Sequence, residues 1–420
     1  MARSWFRGEP VGTTDPEKKL AQRLLDGGLA HPEIGSDVSQ STDPVVVIPV
    51  KDDQRGLSTT LKGLTELSVI VVDDGSIPRL TDSDLGPGEA GVPARRLLLS
   101  QETGGPASAR NAGASHIDDI SAAPTVVAFV DAGVDVLDGQ LRRLSCHFDD
   151  PSVVAVAPRV MSKPGRSRLA AYESRFSPLD LGLDPGPVGP DRSITYLPSA
   201  CLLVRRTALN TVGAFDEAFR FGEDVDLIWR LSRIGTIRYD PSVLVQHRPR
   251  SSWAGWFKQR FDYGTSAAQL ARKHDHVAAW NTSRWSAGLI ALLLAGRPSL
   301  ALSVAAVPVR DLERQLRLDS DGRAEATRLV VEGHAWAIRS FAENLVRTWG
   351  PFTVVAVLLG NRPRTIVLLA SLGWARRLSS SSSIDQIAIG AADDLSYGFG
   401  VVAGVLRTRN LRAMRPNLTR

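Results

Sequence analysis

Residues 68–76 read Ser-Val-Ile-Val-Val-Asp-Asp-Gly-Ser. A short unbroken apolar run that stops at two carboxylates and a glycine has the signature of a buried parallel strand at its carboxyl end. The pattern repeats on either side. Val45–Val50 is apolar and runs into Asp52-Asp53, and Thr125–Val130 runs into Asp131. Arg95–Leu99 is a further strand candidate. Between the runs, Gly56–Leu67 places Leu57, Leu61 and Leu64 at helical spacing, and Ala107–Ile120 is a second helical stretch. Strands alternating with helices predict an α/β domain built on a parallel, Rossmann-like sheet. Ligands of such sheets bind beyond the carboxyl ends of the strands, where the acidic clusters of this chain fall.

The strand and helix signals continue to about residue 250. Val153–Pro158, Ile194–Tyr196, Cys201–Val204, Ile237–Tyr239 and Val243–Val245 are strand candidates, and Glu223–Ile234 is a helix. Thr81–Pro93 reads as a loop, and Ser162–Pro190, rich in proline and glycine, as a surface excursion or acceptor-side loop. The first 43 residues form a polar, poorly ordered or loosely packed lead-in without the apolar core of a secretory signal, so the domain that follows is expected on the cytoplasmic face.

The C-terminal part changes character. Apolar runs Ser286–Ala295 and Ser299–Val309 flank Gly296-Arg297-Pro298, and Pro351–Leu359 and Thr365–Ala375 flank a second break at 360–364. A further apolar stretch, Ile387–Leu406, is interrupted by Asp393-Asp394. No run supplies the roughly 20 clean residues of a confident spanning helix. Two readings stand: buried hairpins in a soluble helical domain, or helices associated with a membrane surface. Trp253, Trp256, Trp285, Trp336, Trp349 and Trp374 tilt the balance to the membrane. The expected organisation is a lead-in over 1–43, an α/β domain over 44–250, aromatic-rich acceptor-side helices and a first apolar hairpin over 251–310, and a helical, membrane-associated region over 311–420.

Composition removes several classes of function. A net charge of +5, with no basic block interleaved with aromatics, gives no ground for a nucleic-acid partner. The two cysteines, Cys146 and Cys201, stand far apart, which excludes a CxxC zinc site or a disulfide framework.

Each acidic or glycine-rich motif has a chemical and a plain reading. Asp73 and Asp74 can hold a base or ribose, or cap a strand-end turn. Gly104 and Gly105 open a helix whose N–H groups suit phosphate, with Arg110 adding a bidentate contact, or they simply let helix and sheet pack closely. Asp131 and Asp135 offer hard oxygen ligands to Mg²⁺ or Mn²⁺, or belong to a solvated turn. Glu223 and Asp224 open a helix, where an ionised Asp224 can act as general base or merely cap. His247 could complete a metal site. Trp256 and Arg260, in an aromatic-rich run, could face a sugar or form a packed helix face.

Together these pieces have a recognisable order. VVVIPVKD, VIVVDDGS, GGPASARNAG, AFVDAG, FDEAF and GEDVDLIWRL resemble the family-2 glycosyltransferases over roughly residues 44–250. The run SSWAGWFKQRFDYGTSAAQLARKH and the Arg-Pro-broken apolar C-terminus are similar to the mycofactocin-biosynthesis branch of actinobacteria. The resemblance implies a GT-A fold, a nucleotide-sugar donor such as UDP-glucose, and an inverting transfer assisted by Mg²⁺ or Mn²⁺. It implies nucleoside binding by Asp73 and Asp74, and donor contacts from Gly104, Gly105, Arg110 and Asn111. Metal binding falls to Asp131, with Asp135 and His247, and the base is Asp224. Glu223, Trp256 and Arg260 lie on the acceptor side. The branch implies a peptide-derived acceptor; a polyprenyl phosphate or cell-wall glycan is the alternative. The family's metal motif has Asp at its third position. Here it is Gly133, which implies weakened metal binding or, at the extreme, a binding protein without turnover.

Overall fold

The structure is a computed structural model that describes residues 11–12, 14–32, 43–86, 95–121, 124–190, 192–249, 252–275, 277, 279–316, 322–359, 367–368, 370–373 and 383–419. It divides into two units, Met1–Pro249 and Arg250–Arg420.

In the first unit, α1 (Asp15–Asp26) precedes the sheet, so the lead-in is not irregular throughout; Thr14 and Glu17 form its capping box. The expected strands follow as β1 (Val45–Val50), β2 (Val69–Asp73), β3 (Arg96–Ser100) and β4 (Val126–Val130). Between them lie α2 (Gln54–Lys62) and α3 (Pro106–Ser115). The α2 helix starts where Asp53 accepts the Gly56 N–H at 2.8 Å. The α3 helix lies tightly on β1: a Cβ at Gly113 would sit 2.3 Å from Val47 Cγ1. Next come β5 (Val134–Asp135), α4 (Asp138–Ser145), β6 (Val153–Ser162), α5 (Arg168–Phe176), β7 (Gly186–Pro187) and β8 (Cys201–Arg205). The unit ends with α6 (Arg206–Val212), α7 (Glu223–Leu231) and β9 (Thr236–His247).

The sheet order is β3-β2-β1-β4-β8-β6-β9-β5, with β7 on β9. Strands β3, β2, β1 and β4 are parallel, as expected. The sheet as a whole is mixed, because β8 pairs antiparallel to both β4 and β6. The apolar runs do not reveal this: a strand buried on both faces reads the same in either direction. The reversal matters for the site, since it lays the start of β8 beside the end of β4, with Cys201 opposite Val130. Valines and isoleucines of β1, β2 and β4 are wholly buried, each stabilising the fold by about 1.5–3 kcal/mol.

Three expectations change. Ser162–Pro190 is not a surface excursion alone, because α5 buries Leu169, Ala170 and Tyr172. The two strands proposed at 237–245 are one strand with a register shift between the Pro158↔Asp240 and Arg159↔Leu244 pairs. At 194–196 only a single bridge forms, Val188↔Ile194.

The second unit is helical: α8 (Trp253–Lys273), α9 (Arg284–Leu294), α10 (Pro298–Leu316), α11 (Gly322–Val346), α12 (Gly350–Leu359) and α13 (Ile384–Thr408). A parallel strand pair, β10 (Trp280–Ser283) and β11 (Pro416–Thr419), ties its two ends together. The break at Gly296 separates α9 from α10, with φ +75° at the glycine. The second break, Trp374 and part of 365–375 lie outside the described residues.

Asp393 and Asp394 do not interrupt α13. Both are buried, and arginines neutralise them: Arg260 Nε lies 3.2 Å from Asp393 and Arg347 Nη1 lies 3.1 Å from Asp394. Helices α8 and α13 meet at glycines; a Cβ at Gly264 would sit 2.1 Å from the Tyr397 carbonyl oxygen. Among the described residues, α13 alone is long and apolar enough to cross a membrane, and half of its most apolar stretch is buried. Trp256 and Arg260 are 0% and 1% exposed. That corrects the acceptor-side expectation, since such burial leaves no face for a sugar and makes them interior packing of this unit.

Candidate active site

The loops at the carboxyl ends of β1, β2 and β4 are knitted to one another. Asp52 N–H donates to Ser76 Oγ at 2.9 Å, and Asp52 Oδ1 accepts the Ile77 N–H at 2.8 Å. Asp73 is fully buried and accepts N–H groups from Ser76 at 2.8 Å and Leu80 at 3.2 Å. Burial would raise its carboxyl, but these hydrogen bonds and the Arg79 charge outweigh that and hold it below the ordinary value. Asp74 accepts Gln101 Nε2 at 2.7 Å and the N–H groups of Gly104 at 2.7 Å and Gly105 at 3.0 Å. The glycine N–H groups expected to face phosphate are therefore held by Asp74. Both aspartates shape the carboxyl-end loops by clamping backbone.

Arg110 projects from α3 and is almost completely buried. Its Nη2 donates to Asp131 Oδ1 at 2.8 Å and its Nη1 to Glu223 Oε1 at 2.9 Å. The guanidinium carbon lies 5.4 Å from the Phe215 ring centroid. Burial opposes its charge, but Asp131, Glu223 and Asp224 more than compensate and raise its pKa. Asn111 faces elsewhere: its amide donates to the Phe215 carbonyl and Glu217, and its oxygen accepts the Phe215 N–H. It pins the Phe215 loop, so the expected donor contact is replaced by an architectural one.

Asp131 ends β4, where its N–H donates to the Ala200 carbonyl at 3.0 Å, a bond the antiparallel β8 makes possible. Gly133 has φ +90° and donates its N–H to Thr60 Oγ1 at 3.0 Å. A Cβ there would lie 3.7 Å from Asp53 Oδ2. Both facts favour glycine, since a residue with a side chain is strained at that φ and a carboxylate would approach another. Asp135 is ion-paired with Lys163. His247 pairs in register with Val134 across β5 and β9, at the same sheet edge as the Asp131 turn. Among the described residues, no three His, Cys, Asp or Glu side chains converge on a point that could hold a metal ion. The three-ligand set of Asp131, Asp135 and His247 is thus not assembled. Asp131, with a third of its side chain exposed, presents a hard oxygen at the carboxyl end of β4.

Asp224 is the second residue of α7, after Gly222 at φ +79°. Its Oδ1 accepts the Val225 N–H at 2.8 Å and its Oδ2 the Ser199 N–H at 3.4 Å. Burial, and then the neighbouring Glu223 carboxylate, push its pKa up to about 7, against the Val225 N–H and the Arg110 charge. A base of that pKa ionises near neutral pH yet still binds a proton well. Asp226, two residues on, pairs with Arg230, which also donates to the Val212 and Ala214 carbonyls and fixes α7 to the preceding loop. Ser199, Thr60, Gln101 and the Lys51–Thr103 pair were not foreseen. Ser199 acts through its backbone N–H, and Thr60, Gln101 and the Lys51–Thr103 pair bond other parts of the chain, so none carries a residue-type signal in sequence.

Residues 45–213 match the family described as Glycosyl transferase family 2. Over 419 aligned residues the chain is 35% identical to the pre-mycofactocin glycosyltransferase of Mycobacterium tuberculosis, covering 95% of this chain and 87% of that one. A shorter match, 45% identical over 64 residues, covers 15% of this chain and 21% of the N-acetylglucosaminyl-diphospho-decaprenol L-rhamnosyltransferase of the same organism. Among solved structures, a mannosyltransferase of Pyrobaculum calidifontis with GDP-Man and Mn²⁺ matches at TM-score 0.49 and 16% identity, covering 93% of this chain and 94% of that one.

Proposed function

Because the chain belongs to glycosyl transferase family 2, we propose that it is an inverting enzyme that moves glucose from UDP-glucose, as a β-linked unit, onto a hydroxyl of the peptide-derived mycofactocin precursor. It is a glycosyltransferase, and its first unit has the GT-A fold. The observation that carries the finer reading is Asp224: a half-buried carboxylate with pKa about 7 at the start of α7, next to Glu223, whose arginine partner also holds Asp131.

In this reading the acceptor oxygen attacks the anomeric carbon while its proton passes to Asp224. The bond from that carbon to the diphosphate breaks on the opposite face, and UDP departs with the bonding pair. One displacement turns an α-linked donor into a β-glycoside. Arg110, protonated throughout, places positive charge beside the departing diphosphate and keeps Glu223 from pushing Asp224 higher. A Mg²⁺ or Mn²⁺ ion would be held by Asp131 and would neutralise charge on the diphosphate. With one protein carboxylate available, the donor set suits a cation whose other ligands are phosphate oxygens and water.

The acceptor is supported by the length of the match to the pre-mycofactocin enzyme, 95% of this chain, against 15% for the relative named for a decaprenol-linked sugar. A polyprenyl-linked or cell-wall acceptor is therefore the second reading. Nucleotide-sugar use carries a cytoplasmic location for the site. The test is UDP release from a panel of nucleotide sugars with and without Mn²⁺, with the anomeric configuration of the product read by NMR. Mn²⁺-stimulated release from UDP-glucose with a β-linked product is expected; an α-linked product would overturn the inverting mechanism.

A further inference from the structure

The charge of this chain is unevenly divided. Met1–Pro249 holds 27 Lys+Arg against 33 Asp+Glu, a net of −6, whereas Arg250–Arg420 holds 23 against 12, a net of +11. From Arg284 onward the Lys+Arg residues are all arginine. The modest whole-chain value of +5 conceals this asymmetry, which is the kind that marks attraction to an anionic surface.

The same unit presents large apolar side chains to the outside. On α12, Phe352, Val355 and Leu359 follow one another at i, i+3 and i+7 and are 52%, 53% and 81% exposed, and Leu358 beside them is 76% exposed. On α10, Leu300 and Leu302 are likewise exposed, as is Trp336 on α11. Single exposed apolar side chains are ordinary on a soluble surface, but four on one ten-residue helix are not.

Helix length decides how such a surface meets a bilayer. The 10 residues of α12 and the 11 of α9 rise only about 15 Å, half of a hydrocarbon core of roughly 30 Å. Neither can cross. The one helix long enough among the described residues, α13, has both its carboxylates at 393 and 394 ion-paired inside the unit. A short apolar helix flanked by arginines, as α9 is, suits a seat in the interface, where apolar side chains enter one leaflet and guanidinium groups reach lipid phosphates. Arg284 at the start of α9, with its guanidinium carbon 4.8 Å from the Trp285 ring centroid, and Arg297 in the turn after it stand at such positions. A second copy is a poor occupant of this face, since it would bring +11 against +11.

We propose that the 250–420 unit seats on one leaflet of an anionic membrane through the exposed apolar side chains of α10, α11 and α12, without spanning it. The test is flotation of the full chain with vesicles of phosphatidylcholine alone and of phosphatidylcholine with phosphatidylglycerol at about 3:1. The chain should float with the anionic vesicles, lose most of that binding in high salt, and be released from them by alkaline carbonate. Leu358→Glu/Leu359→Glu should lower binding at least tenfold with its thermal melt unchanged, and Phe352→Ser, a milder change, should lower it in the same direction. The proposal is overturned if the chain floats with neither vesicle, if the variants bind as the parent does, if carbonate fails to release it, or if the variants instead abolish a dimer seen by light scattering.

Discussion

Arg110 donates to Asp131 at 2.8 Å and to Glu223 at 2.9 Å, so one guanidinium holds the turn that ends β4 against the start of α7. These segments lie far apart in sequence, and their alignment sets the distance between the leaving group and the base. Lysine keeps the charge but cannot reach two carboxylates in a fixed fork. Arg110→Lys is therefore expected to lower kcat by about a hundredfold or more. Arg110→Met, which strands the buried Glu223 and the half-buried Asp131, should also lower stability by about 1–3 kcal/mol. Steady-state kinetics and chemical denaturation of both variants check this.

The elevated pKa of Asp224 appears in the pH profile. Its ionised form is the base, so kcat/KM should fall as pH drops through about 7. Glu223 raises that pKa, so Glu223→Gln should move the acid limb to lower pH even as it loosens Arg110. A limb that stays near pH 4 in the parent enzyme would assign the base elsewhere.

The same group links stability to pH. A carboxyl whose folded pKa lies above its unfolded value binds protons more tightly when folded. Its contribution is favourable at low pH and is lost as pH rises from about 4 to about 7. Asp224→Asn removes that penalty. The variant should exceed the parent in stability at pH 8 by about 1–3 kcal/mol and lose the advantage toward pH 4. Thermal melts at the two pH values provide the comparison.

Gly133 bears on metal use. Its φ is +90°, and a Cβ placed on it would come within 3.7 Å of Asp53 Oδ2, so Gly133→Asp should cost about 1–2 kcal/mol of stability. It should leave Mn²⁺ stimulation of UDP release no stronger than in the parent, because the new carboxylate meets Asp53. Stimulation that rises would show that the turn adapts to a second ligand.

The parallel half of the fold is legible because Val45–Val50, Ser68–Val72 and Thr125–Val130 are short apolar runs that end in acids, a pattern with few other solutions. The candidate residues Asp131, Glu223 and Asp224 are legible for the same reason: acids at strand ends and helix starts. What the sequence hides is who occupies whom. Nothing in Gly104-Gly105 announces that Asp74 takes their N–H groups, and nothing in Asn111 points to the Phe215 loop rather than a ligand. Trp256 and Arg260 mislead because an aromatic-rich helix face looks the same whether it meets a sugar or a buried aspartate at 393. The partner of Asp131 across β8 depends on a strand direction that apolar patterning does not encode.

The most direct test of the central claim compares UDP-glucose affinity and turnover in the parent and in Asp224→Asn. If Asp224 is the base, turnover should fall by about a thousandfold or more while the donor Kd stays within about threefold. Turnover that survives the substitution, or that falls only in step with donor affinity, would contradict it.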